Sequence, residues 1–573
     1  MINIKINNKN FEVPERTTIL KAAEAAGFDI PTLCYLEDIN CIGACRVCVV
    51  EVKNARSLVT ACNTTVSPNM EVTTFSERIR KSRKATLELI LSDHDRRCTS
   101  CPRSENCEFR KLCFEYGCSD SEYAGYERKY TPDASAGTVV RYNNKCILCR
   151  RCVAACNKIQ SVGVIGANKR GFNTYIGCAF NDLLSQTNCV NCGQCINACP
   201  TGALSEYGAT EEFFAAASEK NNRIIAITAP SVRVALGEEF GLPAGTNVEG
   251  KMVAALRRLG AVEVFDVDLG ADLTIMEEGA EFLQRLKNNG VLPMVTSCSP
   301  GWVKFAEHNY PELLGNLSSC KSPQQMLGAV IKTYYAQKIG IDPKTIKVVS
   351  IMPCTAKKFE RARPKQDAAG VPDIDIVLTT RELARCVRNA GIIFDALPNE
   401  RFDSPLGLSS SAGLIFGASG GVMEAALRTL KEIVDGTQAK ALEFAKVRGF
   451  TSVKNAEVDL GGKKIRVAVV SGLAEARKLM DEVRERASPY HFIEVMACPG
   501  GCINGGGQPI ITAKTRSKDI LKSRSAAIYK ADKASELRKS HLNPVIQTLY
   551  KEFFGSPGSR KAHEILHTEY IKR

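Results

Sequence analysis

Residues 146–156 read CILCRRCVAAC, and residues 189–200 read CVNCGQCINACP. Each run is C-x2-C-x2-C-x3-C, the bacterial spacing in which the fourth cysteine of one run ligates the cluster held by the other. Cys146, Cys149 and Cys152 are therefore expected to share a [4Fe-4S] cluster with Cys199. Cys189, Cys192 and Cys195 are expected to share a second with Cys156. The first run ends in Asn157 where the second ends in Pro200, a small departure.

Two further cysteine frameworks lie upstream. The first is Cys34, Cys45, Cys48 and Cys62. It follows an alternating strand pattern (Ile2, Ile4, Ile6) and a helix expected over 18–26, with Thr17 as N-cap and Gly27 as the stop. A strand is expected over 47–52. A CxxC pair plus a distant cysteine fits a plant-type [2Fe-2S] site, although the first gap is longer than the plant-type one. Cys41 is an extra thiol in the same loop. The second framework is His94, Cys98, Cys101 and Cys107, in HDRRCTSCPRSENC. Beside three other cluster patterns it reads as a His/Cys3 [4Fe-4S] site, whose imidazole changes the cluster's charge and potential. Cys113 and Cys118 read as spare thiols.

The whole chain agrees with this reading. It has 573 residues and 25 cysteines, most of them before residue 200. Dense, regularly spaced cysteines in a long intracellular chain point to metal, not disulfides. No apolar run of about 18 residues appears and the N-terminus has no signal-peptide pattern, so a cytoplasmic protein with no membrane partner is expected. The 76 basic and 62 acidic residues leave a net charge of +14, which suits docking of an acidic partner. No basic run or aromatic RNA-binding motif suggests nucleic acid. No GxGxxG follows a suitable strand, so direct use of a nicotinamide is not expected.

From 209 onward the chain alternates strands and helices. Strands are expected at 223–228, 291–296, 347–351, 467–470 and 492–496. Several are followed by an unusual loop: APSV, TSCSPGW, MPCTAKK and MACPGGCINGGG. Ligands in α/β sheets bind beyond the carboxyl ends of strands, so Cys298, Cys354, Cys498 and Cys502 are expected to converge. The glycines of GGGQP suggest backbone packed against something bulky.

The segments TSCSPGW, MPCTAKKFE and EVMACPGGCINGGGQP resemble the three signature segments of [FeFe]-hydrogenases. With the four-cluster N-terminal array, the resemblance to the clostridial monomeric type covers the whole chain. It implies an H-cluster, a [4Fe-4S] cubane joined through one cysteine to a two-iron unit carrying CO, cyanide and an azadithiolate bridge. Cys354, Cys498 and Cys502 match cubane ligands, with Cys502 bridging to the two-iron unit. Pro230, Ser231 and Lys357 match cyanide-binding residues. Pro323, Gln324, Met352, Phe416, Gly417 and Met496 match the pocket lining. Cys298 matches the proton-delivering thiol, and Glu278, Ser318, Glu281 and Arg285 match the outward relay. Glu278 and Glu281, three apart on an expected helix, share one face. The implied reaction is 2H+ + 2e− ⇌ H2, with ferredoxin or a similar acidic carrier as electron partner and hydrogenase maturation proteins supplying the cofactor.

The chain departs from the family at Ser299, where a second cysteine normally ligates the cubane. A serine oxygen is a poorer iron ligand than thiolate. Three arrangements follow: Ser299 stays at the ligand position, Cys298 swings in and sacrifices the relay, or Cys320 substitutes. The first is favoured, with iron binding by its oxygen left open.

The expected architecture is modular α+β and α/β: a β-grasp-like [2Fe-2S] domain (1–78), a His/Cys3 domain (79–126), a two-[4Fe-4S] ferredoxin-like domain (127–208) and a catalytic α/β domain (209–573). A connection is expected over 119–137, and GSRKAHEILH near the end is expected to dock on the catalytic domain. Three rivals are an H2 or redox sensor on the same fold, an electron-transfer iron–sulfur subunit, and a scaffold for cluster assembly. Intact relay residues argue against the first, the signature segments against the second, and the pocket residues against the third.

Overall fold

The computed structural model describes all residues except 120–122, 124, 126, 438–442, 514, 516 and 517. The boundary placed at 126 and part of the connection expected over 119–137 fall outside the described residues.

The N-terminal unit is a five-stranded sheet in the order Lys9–Val13, Ile2–Ile6, Glu71–Thr73, Val49–Val52, Val59–Thr60. Asn7 and Asn8, at φ 46° and 66°, make the tight turn between the first two strands in chain order. Ile4 and Ile6 point into a core with Ile19, Leu20, Ala22 and Ala23 of the helix Ile19–Ala25. That helix is capped by Thr18, whose side chain accepts from Lys21 N at 3.3 Å. Thr17, the expected cap, instead donates to the Pro14 carbonyl. The expected strand at 47–52 begins at Val49, because Cys48 and the residues before it belong to the cysteine loop.

The helix Glu77–Ser92, capped by Ser76, leads to His94. Its buried Arg83 donates to the carbonyls of Val49 and Thr74, which ties the helix to the sheet. In the next unit two short helices, Arg151–Ala154 and Gln194–Ala198, lie within the paired cysteine runs. The strand Val139–Arg141 pairs antiparallel with Leu204–Glu206 and closes the unit.

The remainder is built on two four-stranded sheets. One runs Glu263–Asp266, Arg223–Thr228, Ile346–Met352, Ile376–Thr379, all parallel. The other runs Met294–Val295, Phe492–Met496, Lys463–Ser471, Val453–Leu460, with only the last pair antiparallel. The expected strand at 291–296 is thus two residues long, since Pro293 and the turn before it interrupt pairing. The long helix Asp268–Lys287 contributes to the cores of both halves. The C-terminal segment packs on this domain: Arg524 is fully buried against Glu238 and the Ile503 carbonyl. Leu566 and Thr568 exchange backbone hydrogen bonds with Lys321 and Ser319. No helix of the described residues is long and apolar enough to cross a membrane.

Candidate metal centre

The upstream cysteine frameworks both adjoin the paired-run unit, the first through Asn40, which donates to the Cys34 and Cys149 carbonyls. In the first, Cys34, Cys45, Cys48 and Cys62 are all buried, whereas Cys41 is exposed. Hydrogen bonds from Cys45 and Cys62 pull the Cys34 thiol down, and one from Cys62 does so for Cys48, so the four sulfurs meet. In the second, His94 is buried with its ring edge against Phe109, two residues after Cys107, at 5.1 Å between ring centroids. Its Nδ1 has no hydrogen-bond partner. Burial, then Lys145, pushes its pKa down to about 4, so the imidazole is neutral, the state a metal ligand needs. Cys101 lies against Gly202, where an added Cβ would come within 2.4 Å of its Sγ. Arg103 donates to the Cys199 carbonyl at 2.7 Å. The second framework therefore abuts the third.

The paired runs surround one cavity of about 50 Å³ lined by all eight of their cysteines. Burial raises the Cys152 thiol, and the charges of Cys149, Cys199 and Cys146 raise it further. Around Cys195 the same sequence is burial, then Cys192, Cys189 and Cys156. The strongest thiol charges on Cys152 thus come from its own run and Cys199, and those on Cys195 from its own run and Cys156.

A second cavity, of about 80 Å³, opens at the carboxyl ends of both catalytic sheets. Cys298, Ser299, Cys354, Cys498 and Cys502 line it, together with Cys192 of the neighbouring unit. Cys192 belongs to both cavity walls. Pro230, Ser231, Pro323, Gln324, Met352, Lys357, Phe416 and Met496 complete the wall. Gly417 does not reach it: it packs behind, where a Cβ would meet Ile528 at 2.6 Å and Ser231 at 3.4 Å. The glycine run packs against protein backbone, since a Cβ on Gly505 would sit 2.2 Å from the Pro353 carbonyl and one on Gly506 2.5 Å from the Cys192 carbonyl. Those glycines hold the third signature segment to the second and to the paired-run unit.

Ser299 lies at the wall and immediately before the helix Pro300–Asn309, yet it does not cap that helix. Its Oγ accepts from Ala497 N at 3.3 Å. Cys320 is absent from the wall. It is buried against Glu281 and His567, 4.0 Å from each, so it does not stand at the position left by the missing cysteine.

Lys357 reaches the cavity with Nζ 2.8 Å from Glu360 Oε2 and 3.3 Å from the Cys298 carbonyl. Glu360 also accepts from Ser322 and Gln324. Sequence reasoning missed Glu360, although it closes the quoted segment MPCTAKKFE. Behind Cys298 runs a line of polar groups toward the surface. Burial raises the Cys298 thiol well above its usual range, and Glu278 raises it further. Glu278 is itself buried, and neither of its oxygens makes a hydrogen bond of regular geometry. Burial, then the charge of Glu281, pushes its pKa up to about 8, against smaller pulls from Ser297 N and the Ser318 hydroxyl. Ser318 Oγ donates to Glu281 Oε2 at 2.9 Å, and Arg285 pairs with Glu281 Oε1 at 2.6 Å.

The donors fit a bulky thiolate-bound group. Five cysteines and a cation line a largely apolar cavity with room for more than a single ion, and Gly501, at φ 96°, lies where a Cβ would be 2.5 Å from Ser419 N.

Family models agree along the chain. They match the C-terminal domain of the iron only hydrogenase large subunit (222–506) and the iron hydrogenase small subunit (518–573). Upstream they match a 2Fe-2S iron–sulfur cluster binding domain (1–77), the NADH-ubiquinone oxidoreductase-G iron–sulfur binding region (83–122) and a 4Fe-4S dicluster domain (145–203). The chain is 49% identical to the NADP-reducing hydrogenase subunit HndD of Solidesulfovibrio fructosivorans, over 100% of this chain and 99% of that one. It is 44% identical to iron hydrogenase 1 of Clostridium pasteurianum over the full length of both. A solved variant of the [FeFe]-hydrogenase HydA1 from Chlamydomonas reinhardtii superposes with a TM-score of 0.57 at 39% identity, covering 64% of this chain and 99% of that one. The chain belongs to the iron-only, or [FeFe], hydrogenase family.

Proposed function

We propose that this hydrogenase catalyses 2H+ + 2e− ⇌ H2 in either direction in the cytoplasm, exchanging electrons with ferredoxin or a similar acidic carrier. The observation that carries the reading is the shared position of Cys192, which belongs at once to the paired-run cavity and to the catalytic cavity. The proposed division is 1–78, 79–126, 127–208 and 209–573. The proposed complement is one [2Fe-2S] cluster, three accessory [4Fe-4S] clusters and the H-cluster. In this reading electrons enter at either upstream framework, both of which adjoin the paired-run unit, and leave toward Cys498, whose thiol feels the charge of Cys192.

When bound, the H-cluster supplies an open iron site and a bridge amine at which the H–H bond is made or split heterolytically. Cys354, Cys498 and Cys502 would hold it, and Lys357 would offer its ammonium to cyanide. Glu360, 2.8 Å from its Nζ, keeps that buried ammonium paired. Cys298 holds a proton at Sγ, and Glu278 is poised to exchange it because its pKa lies near neutrality. Ser318, Glu281 and Arg285 extend that route to the half-buried face of the helix Asp268–Lys287.

A second reading concerns the carrier alone. HndD is named as a subunit of an NADP-reducing hydrogenase, which favours a partner subunit that passes electrons to NADP. Assay of the purified, matured full chain separates the two. Reduced ferredoxin alone is expected to drive H2 evolution. Evolution that requires an added NADP-linked subunit would replace the ferredoxin reading.

A further inference from the structure

Where the C-terminal segment docks, three donors of different chemistry meet. Glu281 Oε2, Cys320 Sγ and His567 Nδ1 all lie within 4.8 Å of one another. Cys320 and His567 are buried, and Glu281 is partly so. Their positions are fixed from both sides, since Thr568 N donates to the Ser319 carbonyl and Lys321 N to the Leu566 carbonyl, each at 2.8 Å.

The imidazole is held ready for ligation. Its Nε2 is 3.1 Å from Glu277 Oε2. Glu277 accepts from the Tyr550 hydroxyl at 2.5 Å and from Gly558 N at 2.9 Å, so it acts as an acceptor and Nε2 carries the ring proton. Nδ1 is then a lone pair that faces Ser319 Oγ at 2.8 Å and Cys320 Sγ at 4.0 Å. A carboxylate behind a histidine is the usual outer-shell support of a metal-bound imidazole. The other polar neighbours are Ser319 Oγ, 2.8 Å from Nδ1 and 3.4 Å from Glu281 Oε2, and Ser318 Oγ and Ser319 N, which donate to that same oxygen. Arg285 engages the other oxygen of Glu281.

We propose that Glu281, Cys320 and His567 form a site for a zinc-class divalent cation, separate from the iron centres. Sulfur, imidazole nitrogen and carboxylate oxygen are a donor set that suits zinc. Ligand atoms on a tetrahedral zinc stand roughly 3.5 Å apart, given bonds of about 2.0–2.3 Å. The 4.0 Å separations from Cys320 Sγ therefore need only a small contraction. Ser319 Oγ or water completes the fourth position. Metal binding releases the Cys320 proton. The cation's two charges, with Arg285, then balance Glu277, Glu281 and the thiolate. Zinc here takes Glu281 out of the proton route; that consequence rests on the proposed relay, but the site does not.

The test adds zinc chloride to the matured full chain and records zinc K-edge absorption. One equivalent is expected to show one Zn–S distance of about 2.3 Å with N/O neighbours at about 2.0–2.2 Å. Cys320→Ala is expected to remove the Zn–S distance, and His567→Asn to weaken zinc retention by roughly 10–100-fold, with iron content reporting that both variants fold. A Zn–S distance that survives Cys320→Ala, or N/O neighbours alone in the parent, overturns the site. Zinc bound at these residues without loss of H2 turnover supports the site and removes Glu281 from the relay.

Discussion

Ser299 Oγ accepts a hydrogen bond from the backbone N–H of Ala497 at 3.3 Å, joining the first signature segment to the residue before Cys498. A serine followed by proline is a common helix start, and Ser299 does precede the helix Pro300–Asn309. Its oxygen nevertheless engages Ala497 in place of the helix, and the residue lies on the cavity wall. Ser299→Cys is expected to alter the electron paramagnetic resonance signal of the cubane and to raise turnover roughly 10-fold, within the scale of changes at metal sites. Ser299→Ala is expected to cost about 1–3 kcal/mol through the orphaned Ala497 N–H. A Ser299→Cys protein with the parent's spectra and turnover would show that the position does not reach the cluster.

Burial and the charge of Glu281 push the Glu278 pKa up to about 8. Replacement by Gln is expected to lower turnover by roughly 10²–10⁴-fold while all iron remains bound, measured by H2 evolution against iron content. The raised pKa also acts on stability. Its contribution is present in full below the ordinary carboxyl value near 4.5 and is lost as pH rises through about 8. The parent's melting midpoint is expected to fall across that window more steeply than that of Glu278→Gln. Parallel curves would place Glu278 in an ordinary solvated state.

Lys357 and Glu360 form a buried pair, with side chains 10% and 7% exposed. Breaking such a pair from one side costs about 3–5 kcal/mol. Lys357→Met is expected to lower the melting midpoint and to lose cyanide infrared bands while the accessory clusters persist. Adding Glu360→Gln is expected to recover stability but not the bands. Recovery of both would leave Lys357 a structural role only.

Gly506 carries the contact between the catalytic segment and the paired-run unit. A Cβ there would lie 2.5 Å from the Cys192 carbonyl and 2.7 Å from Gly193 Cα. Gly506→Val is expected to slow turnover by roughly 10²-fold, the scale on which small misplacements act, with iron content unchanged. Unchanged turnover would mean that electrons bypass Cys192.

The cysteine frameworks were legible because most ligand spacing is local: the closely spaced cysteines of one run must reach one cluster whatever surrounds them, and a distant cysteine supplies the rest. The carboxyl-end loops were legible for a related reason, since strand patterns locate them. What failed was long-range. Cys320 looked available to the cavity, but pairing with His567 across the C-terminal segment turns it away. Gly417 sits in a motif yet packs behind Ser231. Glu277 and His567 are nearly 300 residues apart, and neither has a pattern that announces the other. The glycine run was read as packing against something bulky; that bulk is the backbone of Pro353 and Cys192.

Infrared spectroscopy of the anaerobically matured full chain, with H2 production assayed on the same sample, tests the central claim most directly. Carbon monoxide and cyanide stretching bands together with turnover are expected. A sample with intact accessory clusters but no such bands would contradict the assignment of the cavity, and would leave the chain an electron carrier.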